Sequence, residues 1–134
     1  MRRGFTLIEL LIVMAILGIL SAIGIGNFRT ARIKATDAER KANLAAVAKS
    51  LEAYNNDHGS YPTTNLSWGT PFTDGTSTYM SLLPDDYYYY TSDGISYTLY
   101  TYLGNTQDPQ IVDGLTTTCG SATCNYQLKS SNQP

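Results

Sequence analysis

From Phe5 to Ile25 the chain runs for 21 residues with a single charge, Glu9. An α-helix rises 1.5 Å per residue, so that run spans roughly 31 Å, the thickness of one bilayer core. Of the 134 residues, those outside this run number roughly 100, enough for one small domain and no second. The remainder is rich in Ser, Thr, Asn, Gly and Tyr, and its 11 tyrosines argue for packing. Collagen-like, coiled-coil-only and wholly disordered chains are thereby excluded.

The net charge of −2 conceals a split. Residues 1–52 carry eight Lys/Arg against four Asp/Glu, a net of +4, while residues 53–134 carry one Lys against seven Asp, a net of −6. A nucleic-acid binder needs a basic face on its folded part, and here the folded part is acidic, so no nucleic acid is expected on it. The basic stem of one copy is expected to meet the acidic region of a neighbour.

Two readings of the apolar run stand. It can cross a membrane, or it can be a secretory signal with Arg2-Arg3 as the basic end, Leu10–Leu20 as the apolar core and Leu20-Ser21-Ala22 as the cleavage site. The second reading discards the segment and leaves a secreted soluble binding domain. Against it stand the very short basic end and the carboxylate of Glu9 at the entrance to a stretch that otherwise excludes charge. A carboxylate in a membrane is costly, which makes Glu9 a candidate functional residue.

Gly4-Phe5-Thr6-Leu7-Ile8-Glu9, running into Leu10-Leu11-Ile12-Val13-Met14-Ala15-Ile16-Leu17-Gly18-Ile19-Leu20, resembles the type III signal of type IV pilins and pseudopilins. The resemblance implies cleavage between Gly4 and Phe5 by a prepilin peptidase on the cytoplasmic side and N-methylation of Phe5. The apolar helix stays in the product, with Glu9 as its assembly residue. It further implies an inner-membrane assembly platform and a filament of identical subunits. Where a proline commonly follows the apolar run in that family, this chain has Gly26. Proline breaks a helix, whereas glycine weakens it by roughly 1 kcal/mol relative to Ala. Gly18, Gly24 and Gly26 are therefore candidates for local unwinding, or for close helix contacts in the membrane.

From Asn27 to about Asp57 the chain reads as helix, without proline and with Gly59 as a C-terminal stop. Leu44, Val47, Ala48, Leu51 and Tyr54 recur at three- and four-residue steps, the stripe a helix needs to lie on a sheet. Above them Ala31, Ala35, Ala38 and Ala42 form a thinner stripe beside Arg29, Arg32, Lys34, Arg40 and Lys41, a solvated face in a monomer. Asn56 to Thr63 is turn chemistry resembling the helix-to-loop junction of many pilins.

Residues 63–86 read as loop, with a helical turn over Tyr79–Leu83. Tyr87–Thr91 and Ile95–Leu103 flank Ser92-Asp93-Gly94 as a hairpin, with Ile95, Tyr97, Leu99, Thr101 and Leu103 on one face. Gln110–Val112 and Asn125–Lys129 are weaker strand candidates. The expected organisation is a leader at 1–4, a membrane or filament-core helix at 5–26, a stem helix at 27–58, and a β-rich region at 59–134. This is the α+β pilin fold that the resemblance implies, a long N-terminal helix on a small antiparallel sheet.

Cys119 and Cys124 are the two cysteines and His58 the one histidine, so a Cys/His zinc site is short of ligands. A local disulfide in an oxidising compartment accounts for the pair better, and two reduced thiols is the reading if the domain never leaves the cytoplasm. No catalytic constellation, phosphate-binding loop or dinucleotide fingerprint occurs, so neither an enzyme nor a cofactor is expected. Resemblance to the major pseudopilin of type II secretion raises calcium, with Asp93, Asp108 and Asp113 as candidates. They lack EF-hand spacing, and solvated surface charge is the default. The function implied is a structural subunit of a type IV pilus-like filament, exported from the inner membrane to the cell surface, or the major pseudopilin of a secretion or competence apparatus.

Overall fold

The computed structural model describes residues 4–132 except Asp86, with the backbone alone at positions 26 and 27. The basic flank Arg2-Arg3 and all of the leader except Gly4 lie outside the described residues. Leu7–His58 is one α-helix, α1, of 52 residues, about 78 Å long. It starts at a capping box. The Thr6 hydroxyl accepts from the Glu9 amide at 3.4 Å, and the Glu9 carboxylate accepts from the Thr6 amide at 2.9 Å. It ends where Gly59 takes φ +73°, a left-handed conformation open to glycine, and donates its N–H to the Asn55 carbonyl at 2.7 Å. No proline interrupts the span, so apolar segment and stem form a single rod.

The β-structure sits on the lower half of this helix. Tyr88–Ser92 (β3) pairs antiparallel with Tyr97–Thr101 (β4), which pairs on its other edge with Tyr126–Lys129 (β7). Phe72–Thr73 (β1) and Thr78–Met80 (β2) form a separate short hairpin, as do Thr118–Cys119 (β5) and Ala122–Thr123 (β6). Leu44, Val47 and Leu51 are completely buried in one cluster with Tyr61, Leu83, Tyr88, Tyr90, Tyr97 and Leu99, while Ala48 and Tyr54 pack against its edge. The helix stripe thus faces the sheet as its spacing predicts.

Several expectations are corrected. The helical turn over Tyr79–Leu83 is absent, because Tyr79 lies in β2. Asp74 shapes the turn that sends β1 back onto β2, its Oδ1 accepting from the amides of Thr76 and Ser77 at 2.8 and 2.7 Å. Ile95 is 75% exposed rather than on the inner face. It belongs to the β3–β4 turn, which Asp93 builds with the same bonds to Ile95 and Ser96. Gln110–Val112 is no strand. The chain curls there because Asp108 accepts from the Gln110 amide through its side chain and from the Ile111 amide through its carbonyl.

A polar clamp fixes the loop after β4 to the helix just above the apolar seam. Asp37, 3% exposed, accepts from the amides of Gly104 and Asn105, both at 2.8 Å. Gly104 fits closely there, since a Cβ would sit 3.2 Å from Ile33 Cγ2 and ask that side chain to give way slightly. Replacing Asp37 with Ala strands two bonded amides and is expected to cost about 3 kcal/mol. Urea denaturation of the detergent-solubilised chain, read as a lower midpoint at unchanged slope, checks this.

Candidate functional site: an exposed apolar helix headed by Glu9

Every residue from Phe5 to Ile25 is exposed in the single chain, Phe5 at 83% and Ile16, well inside the run, at 52%. The Thr6 cap and the apolar sequence hold this segment as helix although the described residues of the β-rich region leave it uncovered. Contiguous apolar surface on this scale marks a surface made to meet lipid or protein. α1 is long and apolar enough to cross a membrane, and its most apolar window is wholly unburied.

Glu9 stands one turn inside the helix. Its Oε2 also accepts from the Thr6 hydroxyl at 2.7 Å, so Thr6 supplies both of the donors described for the carboxylate. Gly4 and Phe5 precede the cap outside the helix, in exposed chain. That is the form in which a peptidase reaches a peptide bond. Gly18 and Gly24 lie inside unbroken helix with open space where a Cβ would be, and at Gly26 only the helical backbone is described.

The stem and the β-rich region meet through charge as well as apolar packing. The Lys41 ammonium reaches Asp108 Oδ2 and Gln110 Oε1, both at 2.7 Å, and lies over the Tyr126 ring. This holds the Asp108 carboxyl below the usual carboxylate range, with the Gln110 amide adding to the effect. Arg40 donates to the Tyr102 carbonyl at 2.6 Å, between the rings of Tyr87 and Tyr102. Part of the opposite charge in the two halves is therefore satisfied within one chain, whereas Arg29, Arg32 and Lys34 are exposed above the clamp.

At the lower end of the helix, Tyr61 and Tyr97 donate to the two oxygens of Glu52 at 2.8 and 3.2 Å. Burial and then the Glu52 bond push the Tyr61 phenol up to about 12. His58 stacks on Tyr54 and sits 3.2 Å from Asp74, whose bonds to the Ser77 and Thr76 amides keep its carboxyl well below the usual range.

Cys119 and Cys124 are joined in a disulfide that closes the β5–β6 hairpin. The three aspartates considered for calcium are not brought together. Asp93 shapes the β3–β4 turn, Asp108 is paired with Lys41, and Asp113 is an exposed loop residue. Among the described residues no group of three or more His, Cys, Asp or Glu is placed to hold a metal.

A capped apolar helix left bare by its own chain, running without a break into a stem that carries a small antiparallel sheet, defines a pilin-like α+β fold. Residues 1–25 match the prokaryotic N-terminal methylation motif. The chain is a relative of type IV pilins and of the core protein G of type II secretion. It is 49% identical over 59 residues to the type IV wide pilus major component PilA4 of Thermus thermophilus, covering 44% of this chain and 45% of that one. To the type IV major pilin PilA of Myxococcus xanthus it is 44% identical over 59 residues, 44% of this chain and 27% of the relative. To the type II secretion system core protein G of Klebsiella michiganensis it is 30% identical over 93 residues, 69% of this chain and 61% of the relative. The chain spans less than two thirds of the length of each of these relatives. No solved structure matches it.

Proposed function

We propose that this chain is a structural subunit of a type IV pilus-like filament, made as a membrane-anchored precursor and assembled through its apolar N-terminal helix. The observation that carries this reading is the 21-residue apolar run, bare on every side and headed by Gly4-Phe5 and Glu9. Prepilin peptidase cuts after Gly4 and methylates Phe5, residues 5–26 hold the precursor in the inner membrane, and an assembly platform there moves it into a homopolymer. Glu9 is the assembly residue, and Gly18, Gly24 and Gly26 let the helix adjust as it leaves the lipid. The region from 59 to 134 folds outside the cytoplasm, where the Cys119–Cys124 disulfide is stable.

A second reading, the major pseudopilin of a secretion apparatus, is favoured by one observation. The match to core protein G reaches 69% of the chain, beyond the helix and into the sheet. Both readings share the same processing. Mass spectrometry of the purified protein is expected to find an N-terminus at Phe5 with one added methyl group. A mature start near Ile23 instead means that the apolar run was a secretory signal, and ends both readings.

A further inference from the structure

We propose, resting on the filament reading, that successive copies of this chain join end to end through a knob and a pocket: Ile95 at the β3–β4 tip of one copy enters the pocket beside Ile33 and Gly104 on the stem of the next, with Asp93 facing Arg32. The knob is unusual. Among the described residues beyond the apolar run and Phe28, no large apolar side chain is more exposed than Ile95, at 75%. It is also held firmly, because Asp93 Oδ1 accepts from the amides of Ile95 and Ser96 at 2.9 and 2.7 Å. Those bonds keep the Asp93 carboxyl below its ordinary range, so a fixed anion stands two residues from the exposed isoleucine.

The pocket, about 220 Å³, lies where the stem meets Gly104 and is lined by Arg32, Ile33, Thr36, Asp37, Arg40 and Gly104. A side chain at residue 104 would narrow it, a Cβ there coming within 3.2 Å of Ile33. Asp37 is occupied by the Gly104 and Asn105 amides and Arg40 by the Tyr102 carbonyl. Arg32 is exposed and makes no ion pair among the described residues. An apolar recess with a free cation at its rim complements an apolar tip with a fixed anion at its base.

Placement fits a repeating contact. The Tyr61 amide donates to the Gly94 carbonyl at 2.9 Å, which holds the tip beside the C-terminal end of α1. Ile33 lies 25 residues higher on the same helix than His58, about 38 Å away along its axis. Knob and pocket are thus different surfaces at opposite ends of the β-bearing part. A contact between unlike surfaces that does not close on itself propagates as an open helical filament, and an isologous pair does not.

The test is the full-length chain carrying both Ile33→Cys and Ile95→Cys, assembled in cells, with sheared filaments oxidised and run without reductant. The expected result is a ladder of covalent dimers, trimers and higher multimers, with each single-cysteine variant giving nothing beyond a dimer. Filaments without a ladder, or a ladder that stops at the dimer, overturn this contact and leave the filament reading standing. A wild-type chain found only as membrane-bound monomer overturns the filament reading and the contact with it. Should the double variant fail to assemble, Ile95→Asp decides: it places a charge against the apolar recess and is expected to lower filament yield at least about tenfold at normal subunit level. Wild-type yield from that variant overturns the contact.

Discussion

Replacing Glu9 with Leu is expected to leave membrane insertion and cleavage intact and to lower filament yield by at least about a hundredfold. The reason is the isolation of the carboxylate. After cleavage, the first Lys or Arg along the chain is Arg29, 20 residues from Glu9, about 30 Å away along the helix. In the uncleaved chain the Thr6 amide and hydroxyl occupy the carboxylate. The proposed cleavage after Gly4 would create a cation one residue from that cap, the amino group of Phe5. Two unit charges 4 Å apart attract by about 4 kcal/mol at an effective dielectric of 20, comparable to the cost of an unpaired charge in the membrane. When the carboxylate of one subunit takes the amine of a neighbour, the pair also sets the axial register of adjacent helices.

Leucine removes the side-chain half of the capping box as well as the charge, leaving the bond from the residue-9 amide to the Thr6 hydroxyl, and losing a capping interaction alone costs about 1 kcal/mol. Glu9→Gln separates the two, because glutamine still accepts from the Thr6 amide. If filaments of Glu9→Gln form at the wild-type rate with no wild-type subunit present, the charge plays no part and the pairing is wrong. If both variants fail alike, the charge carries the effect.

A large loss of stability is also expected from Leu99→Ala. Leu99 is completely buried in the central strand, opposite Tyr90 on one side and Leu128 on the other, in the same cluster as Leu44, Val47 and Leu51. Truncation removes the transfer energy of the side chain and leaves a cavity, about 3 kcal/mol together. Against a total of about 5–15 kcal/mol for a domain, that is a lowering of the melting temperature by roughly 15 °C. Ile95→Ala, four residues away and exposed, is expected to change stability by less than about 0.5 kcal/mol. Circular dichroism melts of the two variants decide it. Equal losses would mean that the sheet face has been assigned the wrong way round.

How much of this was legible in the sequence is clearest at two turns with one recipe. Asp93-Gly94-Ile95-Ser96 and Asp74-Gly75-Thr76-Ser77 both use an aspartate Oδ1 to bind the amides two and three residues on. The first is flanked by long alternating strands and was readable as a hairpin. The second joins strands of only two and three residues, too short for alternation to register, and its tyrosine passes equally for helix.

The helix and its stripe were legible because spacing alone fixes them. The clamp was not, because Asp37 and Gly104 are 67 residues apart. A signal was nonetheless present: Asp37 and Arg40 continue the stripe of Leu44, Val47 and Leu51 upward by steps of seven and four, which puts charged side chains on the face that meets the sheet. The bare apolar helix was legible from composition, and Glu9 stood out as its one charge. The Thr6–Glu9 capping box was written in the sequence as Thr-x-x-Glu ahead of an apolar run.

An unbroken rod that is bare along one half and carries its folded load on the other responds to pulling in a definite order. Tension applied at the apolar end travels down the hydrogen-bonded ladder of α1 and enters the sheet region first at Asp37, Arg40 and Lys41, the upper attachment points. These are short-range polar links, which shear within an ångström or so of displacement. The seam from Leu44 to Leu51 lies behind them and yields only as apolar area is exposed. Under load the molecule gives way in two stages, with the loop at 102–110 released before the sheet. Asn125, next to the disulfide, holds Leu103 of that loop at 2.6 and 2.9 Å, so the disulfide-closed hairpin feels the first stage through that residue.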